Sequence, residues 1–407
     1  MNCFVATKSS NRVKPSINSR CVKISPIAKR RDKMKDLYQK YGDEIIEFSS
    51  GDVRFPTSAY AVKETHKAVE EPKYGRYPPT VGDKDLISRL THKIREENKI
   101  NTREDLVQIT VGGMQAIYAC FGALNNTGNR TIVPCPYWSP VKDMNSIFFG
   151  ITDFLELNKK NFSLDVDKLK YTIKEKTKII YLNTPHNPTG SVFDQKNIEN
   201  IAEIALRKNL FIISDEAYES ILFDEVPHTS IASLDGMHKR TASVYTFSKK
   251  YNMTGWRVGY ITCGDRDIFE AIKKICLNST NGVTYLAQRA ALSALDDIES
   301  PKTQLLEYKK RRDILVGGLA DIGLSVVYPK GTYYCFVDVS KLKIPRKNGR
   351  SIGECVDEFL FNEAKVSACP GIYFGKGWGD YLRFGFSIEN EGRINEAISR
   401  INGVLNR

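Results

Sequence analysis

The chain of 407 residues is longer than one ordinary hydrophobic core and predicts two domains. Its hydrophobic content of 41% and charged content of 27% are typical of a folded globular protein and exclude a disordered or fibrous one. The sequence contains no run of the ~18–20 uncharged apolar residues that a membrane-spanning helix needs, so we expect no membrane partner.

The net charge of +12 is concentrated at one end of the chain. Residues 1–35 contain ten Lys or Arg and one acid, Asp32, so nine of the twelve charges fall there. Such a segment is consistent with a solvated arm, an organelle transit segment or a patch that contacts an acidic partner. The sequence lacks a helix-turn-helix, RRM or OB pattern, so we expect no nucleic-acid partner.

The cysteines indicate a reducing compartment. There are nine of them, an odd number, widely spaced and without a CxxC pair. This usage predicts free thiols in a cytoplasmic protein rather than a disulfide framework. A zinc site needs clustered Cys and His ligands, so we expect no metal.

From about residue 60 to 300, short β-rich runs alternate with longer helical patterns. The runs are continuous and apolar, as in strands that are covered on both faces. The alternation predicts an open α/β sheet that binds ligands at the carboxyl ends of its strands. The predicted strands are residues 105–111, 130–134, 178–183, 211–215, 243–247 and 258–263, and the predicted helices include residues 114–124, 195–208 and 266–278.

After Pro301 the pattern changes to that of a smaller α+β domain. A charged helix over residues 302–322 precedes an aromatic strand, a second helix and a closing strand. The last three elements are predicted at residues 333–339, 351–364 and 381–387. The expected organisation is an N-terminal segment over 1–60 that contributes to the small domain, a large domain over 61–299, and the small domain over 300–407.

Three motifs follow predicted strands. Ser248 and Lys249 come directly after the strand 243–247, and Arg257 lies eight positions further on. A lysine amine there can form a Schiff base with a phosphorylated aldehyde, while a serine and an arginine hold the phosphate. The alternative is a basic surface loop, but the segment Met-Thr-Gly-Trp before Arg257 is too apolar for one.

The other two motifs suit the same kind of ligand. Asp215 ends the strand 211–215 and can pair with a protonated pyridine nitrogen, while Tyr218 can bond a phenolic oxygen on the ring. The alternative for Asp215 is the N-cap of a helix. Asn187 lies in the turn Asn-Thr-Pro-His-Asn-Pro-Thr-Gly (183–190), which ordinary turn chemistry explains in part.

From about residue 16 to its end, the sequence resembles the class I/II aminotransferases, which are fold-type-I enzymes dependent on pyridoxal 5′-phosphate. Beyond the three motifs, Val-Gly-Gly-Met-Gln (111–115) resembles the phosphate-binding turn of the family, where glycines and a helix N-terminus suit an anion. The segments Tyr-Pro-Pro-Thr-Val-Gly (77–82), Pro-Tyr-Trp (136–138) and Tyr-Leu-Arg-Phe-Gly-Phe (381–386) also resemble family signatures.

The resemblance implies a large domain with a mixed, mostly parallel sheet between helices, plus a smaller α+β domain. It also implies pyridoxal 5′-phosphate as cofactor and a homodimer with shared active sites. Carried over residue by residue, Lys249, Asp215 and Tyr218 are catalytic; the cofactor is also held by Gly113, Met114, Trp138, Asn187, Ser248, Arg257 and Tyr77 of a neighbouring subunit; the substrate is held by Arg383, Gly51, Asn187 and Trp138.

The implied reaction begins when an L-α-amino acid displaces Lys249 from the cofactor. Lys249 then removes the α-proton of the external aldimine. Transamination to a 2-oxo acid follows in the main interpretation. In the alternative, the same carbanion undergoes β- or γ-elimination or cyclisation, as in enzymes that resemble capreomycidine and enduracididine synthases and act on arginine-like substrates.

Two departures from the family pattern fall in the segment after Gly51 and in the phosphate-binding turn. Val53 and Arg54 stand where relatives commonly have Pro-Asp, and Met114 stands where many have Lys or Thr. A binding-only protein on this fold would carry an N-terminal helix-turn-helix or lack Lys249, and neither applies here. The side chain of the substrate is not determined by these motifs.

Overall fold

The structure is a computed structural model and describes residues 13–406. Residues 1–12, with Cys3 and part of the basic segment, lie outside the described residues. The strands are β1 Ile46–Glu47, β2 Val107–Thr110, β3 Arg130–Cys135, β4 Ile151–Glu156, β5 Thr177–Asn183, β6 Phe211–Asp215, β7 Thr241–Thr246, β8 Gly259–Cys263, β9 Ser325–Val326, β10 Tyr334–Asp338, β11 Val366–Ser367, β12 Cys369–Pro370 and β13 Tyr381–Gly385.

The α-helices alternate with these strands in the first two thirds of the chain and cover the second sheet in the last third. None within residues 13–406 combines the length and apolarity that crossing a bilayer needs. The helices are α1 Ile17–Cys21, α2 Pro26–Tyr41, α3 Ala59–Glu70, α4 Lys84–Glu96, α5 Gly112–Leu124, α6 Pro140–Ile147, α7 Val166–Thr172, α8 Gln195–Lys208, α9 Phe247–Lys250, α10 Arg266–Thr280, α11 Tyr285–Ala294, α12 Glu299–Asp321, α13 Ile352–Ala364 and α14 Glu391–Leu405.

Seven strands form the central sheet, in the order β2-β8-β7-β6-β5-β3-β4. The pairs β3/β4, β3/β5, β5/β6 and β6/β7 are parallel, and β8 is antiparallel to both of its neighbours. All residues of β6 and β8 are buried, which explains their continuous apolar sequences. The predicted α/β class with a mixed, mostly parallel sheet is confirmed.

The edge strand β4 was not predicted from the sequence. Its residues alternate between exposed and buried, and three of its six side chains are polar, namely one threonine and two acids. An edge strand with one solvated face lacks the continuous apolar run that marks the central strands.

A second sheet of four strands, joined by three antiparallel pairings, has the order β12-β13-β10-β9. Strand β1 pairs in parallel with β11, so that Ile46 lies opposite Val366. This pairing brings the N-terminal segment to the C-terminal part of the chain. The division at residues 60 and 299 stays a prediction.

Helix α2, which begins within the basic segment, packs on the C-terminal part of the chain. Arg30 in α2 donates two hydrogen bonds to the carboxylate of Asp357, at 2.6 and 2.7 Å, and a third to Ser367. Bidentate pairs of this kind are stronger than simple ion pairs. They fix α2 against α13.

Candidate active site

The carboxyl ends of three strands meet at one edge of the central sheet. In the parallel register of β5, β6 and β7, Asn183 lies opposite Asp215, which lies opposite Val244. The chain leaves β7 at Thr246 and turns at once into α9, which carries Lys249. The sequence predicted that this strand continues to Phe247, but Thr246 ends it by accepting a hydrogen bond from the Ser248 backbone as the N-cap of α9.

Asp215 is buried, with 6% of its surface exposed. Tyr181 Oη donates to Asp215 Oδ2 at 2.6 Å, and the backbone N of Ala217 donates to Oδ1 at 3.2 Å. Burial raises the pKa of Asp215 to about 6, against the opposing effect of these hydrogen bonds. A buried carboxyl group that has no ion pair within residues 13–406 suits a cationic ring nitrogen.

Lys249 lies between the central sheet and the loop after β1. Its Nζ donates to the backbone oxygen of Gly51 at 3.0 Å and lies 5.8 and 5.6 Å from the ring centroids of Tyr218 and Tyr333. Burial lowers the pKa of Lys249 to about 8, and the nearby charge of Asp52 opposes this shift. An amine with this pKa is neutral often enough near pH 7–8 to attack an aldehyde.

The turn from β2 into α5 forms a cradle for an anion. The N-cap Val111 provides no side-chain cap for the first turn of α5, and Gly112 has φ +67°. A Cβ atom at Gly112 would lie 2.6 Å from Arg257 Nη2, so the guanidinium packs directly on this backbone. Gly113 follows at the helix N-terminus, where free N–H groups and the helix dipole favour a phosphate.

Ser248 and Arg257 complete this cradle. The hydroxyl groups of Thr246 and Ser248 are 2.8 Å apart, which orients the serine beside the strand end. Arg257 Nη1 donates to the backbone oxygen of Thr254 at 2.7 Å. The cradle therefore offers an arginine, a hydroxyl and a helix N-terminus, which fit a phosphate monoester.

Arg383 in β13 is a buried cation, with 2% of its surface exposed. Its Nη1 donates to Asn187 Oδ1 and its Nη2 to the backbone oxygen of Ser49, both at 3.0 Å, while the ring of Tyr334 lies 4.1 Å from its guanidinium carbon. Its Nε is buried without a hydrogen-bond partner among the described residues. A buried guanidinium that has no carboxylate partner among residues 13–406 suits the carboxylate of a substrate.

Gly51 contacts the lysine, and Ser49, two positions earlier, contacts the arginine. The backbone oxygen of Gly51 accepts hydrogen bonds from Lys249 Nζ and from Tyr333 Oη, the latter at 2.8 Å. A Cβ atom at this position would lie 2.6 Å from Tyr334 Oη. A glycine is therefore required for the chain to approach this closely.

Tyr218 and Asn187 border the same space. The hydroxyl groups of Tyr218 and Tyr334 are 3.2 Å apart, and burial raises the pKa of Tyr218 well above its usual value. Tyr218 therefore stays protonated and can donate to a ring oxygen. Asn187 is held by a hydrogen bond from its backbone N to Asn183 Oδ1 at 2.9 Å.

Three predicted residues, Tyr77, Met114 and Trp138, make none of the contacts described above. Tyr77 is 87% exposed, and Met114 is 46% exposed. Met114 borders a cavity of about 570 Å³ that Arg257 also lines. Trp138 is half-buried and packs beside the core under β3 and α5. Their roles toward the cofactor stay predictions.

Four residues that contact the site were not predicted from the sequence: Tyr181, Thr246, Tyr333 and Tyr334. A tyrosine inside the apolar strand Lys-Ile-Ile-Tyr-Leu-Asn (178–183) was an available signal, because a buried hydroxyl group needs a partner. The two adjacent tyrosines at the start of the aromatic strand gave a weaker signal. Their partners lie far away along the chain.

The central sheet, the lysine at a strand end, the buried carboxyl group and the anion cradle define an enzyme that binds pyridoxal phosphate. Residues 43–401 match the family model for aminotransferases of class I and II, and the chain belongs to this family. Members of this family use pyridoxal phosphate. The donor set described above fits that cofactor.

Relatives and solved structures agree with the family. The chain is 33% identical to a probable aspartate/prephenate aminotransferase of Aquifex aeolicus, over 94% of this chain and 96% of that one. It is 34% identical to an aspartate aminotransferase of Pyrococcus abyssi, over 89% and 92% of the two chains. The structure of Thermus thermophilus aspartate aminotransferase with maleate superposes with a TM-score of 0.89 at 27% identity, over 97% and 100% of the two chains.

The protein is therefore an aminotransferase that depends on pyridoxal phosphate. The predicted alternative, elimination or cyclisation of an arginine-like substrate, receives no support from these relatives.

Proposed function

We propose that the protein transfers the amino group of an L-α-amino acid to a 2-oxo acid with Lys249 as the residue that holds the cofactor and moves the proton. The convergence of Lys249 and Arg383 on residues 49–51 carries this proposal. Pyridoxal phosphate supplies an aldehyde that captures the amino group and a ring that accepts electrons when the Cα proton leaves.

Lys249 Nζ takes the proton from the Cα atom of the substrate. The low pKa of this amine, about 8, makes it a base that is partly neutral at physiological pH. Asp215 would pair with the ring nitrogen of the cofactor, and Tyr218 and Asn187 would bond its ring oxygen. The phosphate would lie against Gly113, Ser248 and Arg257.

Arg383 binds the α-carboxylate of the substrate. The bonds to Asn187 and Ser49 orient its planar guanidinium, and its buried Nε remains available for a further acceptor. Two parallel hydrogen bonds from one guanidinium fix both the position and the plane of a carboxylate. The Cα–H bond is thereby presented to Lys249.

The proposed assembly is a homodimer with shared sites in the cytoplasm. Tyr77, which is 87% exposed, would reach the phosphate in the neighbouring subunit. The seven described cysteines that are free thiols are all buried, which suits a reducing compartment. Sedimentation of the active enzyme tests the dimer, and an active monomer would refute it.

The experiment that tests the function is a visible spectrum of the purified holoenzyme against single amino acids without a 2-oxo acid. The panel contains acidic and aromatic amino acids, arginine and hydroxyarginine. An aminotransferase loses its cofactor band stoichiometrically with the correct donor, and a 2-oxo acid restores it. Product release with full return of the band and no 2-oxo acid would instead show elimination or cyclisation.

A further inference from the structure

The backbone oxygen of Gly51 accepts two hydrogen bonds from side chains of different parts of the chain. Tyr333 Oη donates at 2.8 Å and Lys249 Nζ donates at 3.0 Å. A backbone oxygen has two lone pairs, so these donors occupy its full capacity. Lys249 therefore shares its acceptor with a tyrosine.

Tyr333 is held rigidly in this position. Its side chain is fully buried, and its ring packs edge-on against Tyr218 and tilted against Tyr308, each with 5.5 Å between centroids. Burial raises the pKa of Tyr333 well above its usual value, so the hydroxyl group stays protonated. Tyr333 therefore keeps the proton that it donates to the Gly51 oxygen in this structure.

The hydroxyl group of Tyr334 also lies close to Gly51. It is 2.6 Å from the position that a Cβ atom would take at Gly51. Two consecutive tyrosines thus clamp the glycine, one at its oxygen and one at its Cα atom. The oxygen that faces Lys249 is fixed in place.

Sharing the oxygen weakens its bond to the lysine. A hydrogen bond from Tyr333 withdraws electron density from the oxygen, which then stabilises an ammonium group less well. Hydrogen bonds to the charged form of a group favour that form, so a weaker bond favours the neutral amine. The neutral amine is the form that acts as nucleophile and base.

We propose that Tyr333 is a positioning residue for the amino-transfer reaction: its hydroxyl group fixes the Gly51 oxygen where the free Lys249 amine binds, and it weakens that bond so that the amine releases its proton. The proposal rests on the assignment of Lys249 under the proposed function. It adds a residue that the family motifs do not mark.

Other charges near Lys249 remain the same when Tyr333 is changed. The carboxylates of Asp52 and Asp215 raise the pKa of Lys249, and the guanidinium groups of Arg383 and Arg257 lower it. Replacement of Tyr333 by phenylalanine removes one oxygen atom and leaves these four groups and the packed ring in place. The variant therefore isolates the shared hydrogen bond.

The test is the pKa of Lys249 in the full-length apoenzyme, measured by competitive trace acetylation across pH with peptide mass spectrometry. In Tyr333→Phe we expect this pKa to rise by about 0.5 to 1 unit, because the amine gains sole use of the oxygen. An unchanged or lower pKa would overturn the proposal.

Tyr308→Phe is the matched control. Tyr308 is buried beside Tyr333 and accepts a hydrogen bond from Gln304 Nε2 at 2.9 Å. The substitution removes a buried hydroxyl group from the same aromatic cluster and leaves the Gly51 oxygen, which accepts from Lys249, unchanged. We expect no shift in the pKa of Lys249, and an equal shift in both variants would show a general packing effect and overturn the proposal.

Kinetics of the holoenzyme give a second readout. In Tyr333→Phe we expect kcat to be about 3- to 10-fold lower at pH 7, with KM unchanged and the deficit lost above about pH 9. A deficit that is equal at all pH values would mean a purely structural role and contradict the proposal. Lys249→Ala distinguishes the two claims: if it retains transamination, the assignment of Lys249 fails, whatever Tyr333→Phe shows.

Discussion

The proposed active site has two halves that are built in different ways. In our proposal the cofactor half consists of Asp215, which ends β6, and of Tyr218, Ser248 and Lys249, which follow β6 or β7 within three residues. The substrate half consists of residues 49–51, Arg383 and the tyrosines at 333 and 334. In the cofactor half, Ser248 is oriented by a residue two positions away, whereas Arg383 bonds residues 196 and 334 positions away.

This difference implies that the proposed cofactor half determines the reaction, whereas the proposed substrate half determines which amino acid binds. The proposed cofactor half depends on the register of the parallel strands β5, β6 and β7, and because every residue of β6 is buried, this register tolerates little change. The substrate half lies where the loop after β1 meets the second sheet. Substitutions there can alter which amino acid binds while the cofactor stays in place, and variants of each half should fail in different ways.

Lys249→Ala removes the residue that links the two halves, since Lys249 belongs to the cofactor half and bonds Gly51 in the substrate half. This substitution has the largest expected effect. We expect kcat to fall by about 10²- to 10⁴-fold or more, because the amine that moves the proton is lost. Lys250→Ala is the matched control, since Lys250 pairs with Glu97 at 3.4 Å outside the site. Equal loss in the two variants, measured by steady-state transamination with circular dichroism as a fold check, would refute the assignment.

The pH dependence of cofactor capture tests the state of the lysine at this junction. The pKa of Lys249 is about 8, and the protonated form cannot attack an aldehyde. The rate at which the apoenzyme captures pyridoxal phosphate should therefore rise with pH, with a midpoint near 8 and about a 100-fold deficit at pH 6. A flat profile, or a midpoint near the ordinary lysine value, would contradict this environment.

Arg383→Lys breaks the substrate half alone. A lysine keeps the charge but loses the planar pair of donors, so we expect kcat/KM to fall about 10- to 100-fold through KM. The dissociation constant of pyridoxal phosphate should stay within about twofold in an equilibrium titration. Weaker cofactor binding in this variant would mean that the halves are not independent.

Tyr181→Phe changes the cofactor half alone and has the smallest expected effect. It removes the hydrogen bond to Asp215 Oδ2, so the pKa of Asp215 should rise above its value of about 6. A protonated carboxyl group cannot pair with a cationic ring, so cofactor affinity should fall about tenfold, and more as pH decreases through 6. The KM for the amino acid at saturating cofactor should not change, and a change of similar size in KM would count against the separation.

The sequence predicted the strands that carry the proposed cofactor half because these strands have a clear apolar pattern. The strand over 211–215 has the predicted bounds, and the helix over 195–208 does too. The strand before Lys249 was predicted to end at Phe247 and ends one residue earlier, at Thr246, so that Lys249 lies on the short helix α9. Local sequence decides such features.

The substrate half was accessible only through family resemblance, which supplied Gly51 and Arg383. Nothing in the local pattern around Tyr334 indicates that its ring lies under a guanidinium 49 positions later in the chain. Tyr333 and Tyr181 were missed for the same reason, since their partners are set by packing between distant segments. The edge strand β4 was missed for a different reason, because its exposed and buried residues alternate and it lacks a continuous apolar run.

The most direct test of the central claim is to reduce the holoenzyme with borohydride and to map the cofactor by peptide mass spectrometry. Reduction fixes pyridoxal phosphate on the lysine that holds it. We predict the added mass on Lys249 and none on the adjacent Lys250, with one label per chain. Label on Lys250 or on another lysine, or no label at all, would contradict the assignment of this site.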